Sequence, residues 1–189
     1  GADGSVRTSA DQGRTWSAVA AEDFFPLRFS GSGRASGPLL FAGFGMSWPE
    51  KGHEDFPGDA VTGAVVLVLA HEPGERDPNS PFDGVVTAER AVAWRKALAA
   101  QQKGAVAVLF VDDVHNHREV PDFQAIARTI WPDAAAAPRA YTLADWADRI
   151  HIPAAQISRA AAERLIAPSG RSLEELSRAA DQIAGYQPL

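Results

Sequence analysis

Cysteine is absent from all 189 residues. That excludes a disulfide framework, a thiolate metal centre and a cysteine nucleophile. Clustered positive charge is missing as well. The 18 Lys and Arg are scattered among 24 Asp and Glu, for a net charge of −6. A phosphate backbone needs basic residues gathered on one face, so nucleic acid is not an expected partner. No apolar run reaches the ~20 residues of a membrane span, and the strongest, Ala64 to Ala70, is of strand length. A membrane is therefore not an expected partner either. The opening "GADGSVRTSADQGRTW" is polar throughout and carries no signal-peptide pattern. Its start at Gly1, without methionine, reads as part of a longer protein. Nucleotide loops of the G-x-G-x-x-G and G-x-x-x-x-G-K-[ST] kinds are lacking, and so is the G-x-S-x-G elbow of common serine hydrolases. Gly31-Ser32-Gly33 comes closest to the elbow, but its spacing is that of a flexible turn.

What is present is an ordinary globular composition, 46% hydrophobic and 22% charged, in a length that suits one domain. Residues 1–20 read as a polar N-terminal extension. Within it, "SADQGRTW" (Ser9 to Trp16) matches the Asp-box hairpin pattern S-x-D-x-G-x-T-W. In sialidase-like propellers that box recurs once per blade. Here it occurs once, so it reads as a single hairpin or a chance match.

Phe24 to Phe29 and Pro38 to Phe44 read as strands across a glycine-rich turn. Val65 to Leu69 is a β-branched run expected to be buried on both faces. Thr87 to Lys103 has helical character, with Thr87 as cap, Ala91, Trp94 and Leu98 on one face, and Lys103-Gly104 as the stop. Ala105 to Val111 is a second buried strand, so a parallel crossover is expected. Residues 122–140 give no clear pattern. Thr142 with Asp145 reads as a capping box, "HIPAAQIS" as a third strand, and Ser158 as the cap of a helix through Ile166. Ser172 with Glu175 opens a last helix, lined by Leu173, Leu176, Ala180 and Ile183.

"HEPGERDPNSPFDG", His71 to Gly84, concentrates the charge. Glu72, Glu75, Asp77 and Asp83 could gather Ca²⁺, but the rhythm of an EF-hand is missing. Three prolines stiffen the loop. Two readings stand side by side: a substrate- or partner-facing surface formed by His71, Glu72, Glu75, Arg76, Asp77, Asn79, Phe82 and Asp83, or a solvated loop with Phe82 tucked beneath it. His115-Asn116-His117 has an H-x-H spacing, yet no third ligand is evident nearby. His53-x-Asp55 and Glu174-Glu175 formally match parts of a co-catalytic dizinc site. They read instead as solvated charges and a helix start. No catalytic residue and no metal ligand is assigned.

As an ordered set, "DAVTGAVVLVLAHEPGERDPNSPFDG", "RKALAAQQKGAVAVLFVDD" and "IPAAQIS" resemble the protease-associated (PA) domain. Asp59, Val61, Gly63, Gly104, Ala105, Ile152, Pro153, Ile157 and Ser158 fall on its pattern, and Ala64 stands where lysine is usual. With "FFPLRFSGSG" and "GPLLFAGFG" upstream, the likeness is to the PA domain of bacterial M28-family zinc aminopeptidases. The resemblance implies an α/β fold, compact and β-rich, of the swivelling β/β/α kind: a small barrel or sandwich of short strands flanked by helices. It places the PA domain at residues 21–167 and makes 168–189 a helix leading toward a peptidase domain. It implies a non-catalytic module that covers or gates the substrate entrance of that peptidase. The zinc would then belong to the parent's peptidase domain, the fragment would hold no cofactor of its own, and the setting would be secreted or periplasmic. The rival readings are a stand-alone hydrolase with an unrecognised site and a PA-type sorting or cargo-binding module.

Overall fold

The computed structural model describes residues 4–56, 58–83, 85–131 and 149–182. The Thr142–Asp145 capping box and Ile183 lie outside the described residues. The polar start folds into a hairpin, β1 (Arg7–Thr8) against β2 (Ser17–Ala18), with Arg7 opposite Ala18. Its turn is a complete Asp box. Asp11 accepts from the Thr15 amide at 2.8 Å and the Thr15 hydroxyl at 2.6 Å, Ser9 Oγ accepts from the Gly13 amide at 2.7 Å, and the Trp16 indole donates to Gly13 O at 3.0 Å. The two Thr15 bonds, with a third from the Ser9 hydroxyl at 2.7 Å, hold the Asp11 carboxyl down at about 2.

The main sheet has five strands: β3 (Phe24–Pro26), β4 (Leu39–Phe41), β7 (Val65–Leu69), β8 (Ala107–Val111) and β9 (Ala154–Ile157), in the order β3-β9-β8-β7-β4. The four from β4 to β9 run parallel, and β3 is antiparallel to β9. A smaller hairpin pairs β5 (Ser47–Trp48) with β6 (His53–Glu54). The centre of the sheet is apolar on both faces, as expected of parallel strands covered on both sides. Val66, Leu67, Val68 and Leu69 are all fully buried, and alternate residues serve opposite layers. Val66 and Val68 pack with Ala97 and Ala100 of α1 (Ala93–Gln102). Leu67 and Leu69 pack with α3 (Arg159–Ile166) and α4 (Leu173–Ala180) on the other face. A short helix, α2 (Phe123–Ile130), lies beside the edge strand β3. Its Phe123 ring sits 5.0 Å from that of Phe25, and the Trp131 indole donates to Pro26 O at 2.7 Å.

The mixed α/β expectation of short strands flanked by helices therefore holds, with the strands gathered in one principal sheet. Its caps hold too. Ser158 Oγ accepts from the Ala161 amide at 3.0 Å, and Ser172 and Glu175 form a reciprocal capping box. Ser158 does a second job, donating to Asp23 Oδ1 at 2.6 Å and so fastening the start of β3 to the start of α3. That bond, with help from Arg164, holds the Asp23 carboxyl below its ordinary value. Gly104 stops α1 at φ +90°, where a side chain would also press on Thr62.

Two details of α1 differ from the sequence reading. The helix starts at Ala93, not at Thr87, because residues 89–91 form a separate 3-10 turn whose preceding amide, Ala88 N, is held by Glu72. Its buried face is Lys96, Ala97 and Ala100 rather than the Trp94/Leu98 stripe. Small alanines let the helix lie close on the sheet, and closeness outweighs bulk here. Beyond α3, the apolar face of α4 belongs to the same core: Leu173, Leu176 and Ala180 are buried against it.

Candidate functional site

Two loops leave the carboxyl ends of adjacent central strands, one after β7 and one after β8, and they meet above the sheet. The first is His71 to Asp83. It is stiff for reasons that go beyond its prolines. His71 and Asp83 both take left-handed backbone angles, at φ +67° and +72°. The Gly74 amide donates to Asp181 Oδ1 at 2.8 Å, and Lys51 bonds Pro81 O and Asp83. Lys96 is the deepest anchor. Its ammonium lies buried on α1 and donates to Leu69 O at 2.9 Å and to His71 O, closing off the end of β7. Burial pushes its pKa down to about 7, against the pull of Asp55, Glu72 and Asp113.

The predicted loop residues divide into two groups. Arg76, Asp77, Asn79 and Asp83 are exposed, as is His71. Phe82 is not: it is 0% exposed. That takes Phe82 out of the partner-facing set and agrees with the other reading, in which it is tucked beneath the loop. Its ring fills a hole in the core, 5.9 Å from Trp48 and edge-on to His53 at 4.9 Å, because burying a phenyl ring beneath the loop removes apolar surface from water. Glu72 also points inward. Both its carboxylate oxygens accept from the Ala88 amide, at 3.1 and 3.0 Å. Burial raises its pKa, and the Ala88 amide and Lys96 work against the rise. Glu72 thus organises the loop from below. Asp77 accepts from the Asn79 amide at 2.8 Å, and Asp83 pairs with Lys51 at 3.2 Å. The four carboxylates each have a different partner, so among the described residues they form no oxygen cage of the kind Ca²⁺ favours.

The second loop is shaped by Asp113, which is fully buried. Its carboxylate accepts from the His115 amide at 2.9 Å, from Asn116 Nδ2 at 2.8 Å and from the Ser177 hydroxyl of α4. The resulting turn sends the two histidines apart. His115 faces Glu174, with Nδ1 3.7 Å from Oε1. His117 faces the first loop, with Nε2 2.5 Å from Glu75 Oε1. His71 Nδ1 approaches the other oxygen of the same carboxylate at 3.2 Å, and the two imidazoles stack with centroids 4.0 Å apart. Burial and the neighbouring His117 push the His71 pKa down, while Glu75 opposes the shift. His71, Glu75 and His117 therefore converge, and His117 is the member the sequence did not bring to this place. Its partner lies 42 positions away in the chain, and no local pattern encodes that distance.

His53 and Asp55 are not the solvated charges expected. Both are buried and pair at 3.1 Å, and Asp55 Oδ2 also accepts from the Met46 amide at 3.0 Å. This couple locks the small β5–β6 hairpin onto the core. Glu174 pairs with Arg178 at 2.8 Å, and Glu175 caps α4. Among the described residues neither set joins the other in a group able to hold a metal ion, so these two motifs do not assemble a co-catalytic zinc site.

Ser80 is the one hydroxyl residue between His71 and Asp83, and its hydroxyl donates to Pro73 O at 3.5 Å. What the loops build is a rigid polar rim on a buried sheet. Comparison with curated proteins finds no match. A comparison with family models matches the PA domain over residues 35–165, more than half of the chain. PA domains are generally protease-associated modules that bind substrate or protein, and they are typically non-catalytic. The matched span includes β4, β7, α1, β8 and β9 together with both loops of the rim, and the chain belongs to the PA domain family.

Proposed function

We propose that this domain covers or gates the substrate entrance of a neighbouring zinc aminopeptidase domain of the M28 type, and makes protein–protein contacts with it. The observation that carries this reading is the stiff rim of His71 to Asp83, exposed at Arg76, Asp77, Asn79 and Asp83 and pinned from beneath by Lys96, Glu72 and Phe82. A rim held by buried anchors narrows an opening without yielding to what passes. Its exposed carboxylates add a negative potential that favours the free α-amino end of a peptide. The zinc and the hydrolytic chemistry belong to the peptidase domain. Peptides meet this domain on the way in, and the setting is secreted or periplasmic, as the resemblance to M28 enzymes implies.

The test is kinetic. In the enzyme that carries this domain, Asp77→Asn with Asp83→Asn removes two rim charges, and asparagine tolerates the left-handed backbone at position 83. We expect KM for short peptides with a free amino terminus to rise by about two- to tenfold, kcat to hold, and the difference to shrink at high salt. Unaltered KM at low ionic strength refutes the electrostatic part of the gate.

A further inference from the structure

We propose that His71, Glu75 and His117 form a binding site for a divalent transition-metal ion of the zinc type, which clasps the loop after β7 to the loop after β8. One ligand atom from each residue lies within 4.8 Å of the other two. His71 Nδ1 and His117 Nε2 both address the Glu75 carboxylate, at 3.2 and 2.5 Å. Two imidazole nitrogens and one carboxylate oxygen make a borderline donor set, suited to Zn²⁺ and its neighbours and poor for Ca²⁺ or Mg²⁺.

Three further observations point the same way. Glu75 Oε1 and His117 Nε2 are shielded from solvent, and neither makes a hydrogen bond among the described residues. The two atoms face each other at 2.5 Å, and an ion would replace that contact and hold the pair roughly 3 Å apart as two of its ligands. His71 adopts φ +67°, a costly backbone for a side chain with a Cβ, and that backbone carries its ring onto His117. Both histidines are also held from behind at the main chain. Lys96 bonds His71 O, and Arg159 donates to His117 O at 2.7 Å. Such support fixes the approach of a ligand before the ion arrives. His71 and His117 keep outer edges toward solvent, with 42% and 36% of their side chains accessible. An ion can therefore enter, and a fourth position stays open to water.

The experiment is titration of the purified chain with Zn²⁺ by calorimetry, and with Co²⁺ as a spectroscopic probe. We expect one equivalent to bind, ligand-field bands of a low-coordinate nitrogen–oxygen site, and a rise in melting temperature with Zn²⁺ but not with Mg²⁺. His71→Asn, which tolerates the left-handed backbone, and His117→Gln should each weaken Zn²⁺ binding by about 100-fold or more. His115→Ala, whose imidazole faces Glu174, should leave it unchanged. A wild-type chain that takes up no Zn²⁺ at micromolar metal overturns the proposal, as does uptake that persists in both His71→Asn and His117→Gln. Neither result bears on the gating reading, which rests on the exposed carboxylates and on family membership.

Discussion

Phe82→Ala destabilises the domain by about 3–5 kcal/mol, the range for removing a buried phenyl ring from a core that cannot collapse around the void. The ring is fully buried among Phe41, Phe44, Met46, Leu67 and Leu69. It touches Trp48 on one side and the His53–Asp55 couple on another. The walls of the hole are sheet residues and the buried His53–Asp55 couple, so relaxation into the space is limited. Urea unfolding followed by tryptophan fluorescence measures the loss. A second signature separates an anchor from ordinary core. The Ser80 hydroxyl accepts from the Phe82 amide at 3.2 Å, so losing the ring frees the tip of the loop. Amide exchange should quicken across residues 74–83 more than in β8. Phe82→Leu, which keeps most of the volume, should cost less. A loss under 1 kcal/mol for Phe82→Ala, on the order of an exposed substitution, would show that the loop does not depend on its ring. The same burial means that a triple replacement of Phe82, Glu75 and Asp77 tests folding and gating at once. The two-carboxylate variant of Asp77 and Asp83 is the cleaner probe of the rim.

The second large effect lies at Asp113. Asp113→Ala removes the acceptor for the buried Ser177 hydroxyl and for the half-buried His115 amide and Asn116 Nδ2, the last of which keeps its bond to Asp181 Oδ1 at 3.0 Å. Each buried donor left unpaired costs about 1–3 kcal/mol, and the His115 amide recovers part of its bond from Ser177 Oγ at 3.3 Å. The expected total is about 2–4 kcal/mol by urea unfolding. Asp113→Asn keeps one acceptor and should cost less. The loss is not confined to one place. Ser177 lies on α4, so the bond to Asp113 ties that helix to the end of β8. The same carboxylate sets the turn that aims His117 at Glu75. Asp113→Ala should therefore loosen α4 and separate the two histidines in one step, visible as shifts of both His71 and His117 imidazole resonances. Unmoved imidazoles in a destabilised Asp113→Ala would show that the turn stands without its carboxylate.

These two residues mark where the sequence could be read and where it could not. β7 and β8 were legible because a β-branched run between turn formers is a local signal, and burial on both faces follows from parallel pairing. The caps at Ser158 and Ser172 were legible because a side chain bonds an amide three residues on. The Asp box was legible for the same reason. Phe82 was ambiguous because a lone aromatic between two charged loop residues carries no period. Lys96 carries no local signal. A lysine on a helix reads as solvated, and only the position of Leu69 O and His71 O makes a buried ammonium tolerable there. His115 and His117 share one short motif, yet they face different elements, since the Asp113 turn intervenes. α2 does carry a local signal, an Asp122 cap ahead of Phe123, Ile126, Ala127 and Ile130 at helical spacing, set between a polar loop and an alanine-rich run that lack one. For Phe82, Lys96 and His117 the gap is long-range contact, which one sequence does not encode in any nearby pattern.

The proposed function has this domain shape access to chemistry performed elsewhere. It is tested most directly by incubating the purified chain with a panel of short peptides, with and without added Zn²⁺, and measuring free amino acids released. No release above buffer is expected in either condition, even where Zn²⁺ is bound at His71, Glu75 and His117. Zn²⁺-dependent hydrolysis that disappears in His71→Asn would contradict it, and would make the rim a reaction centre.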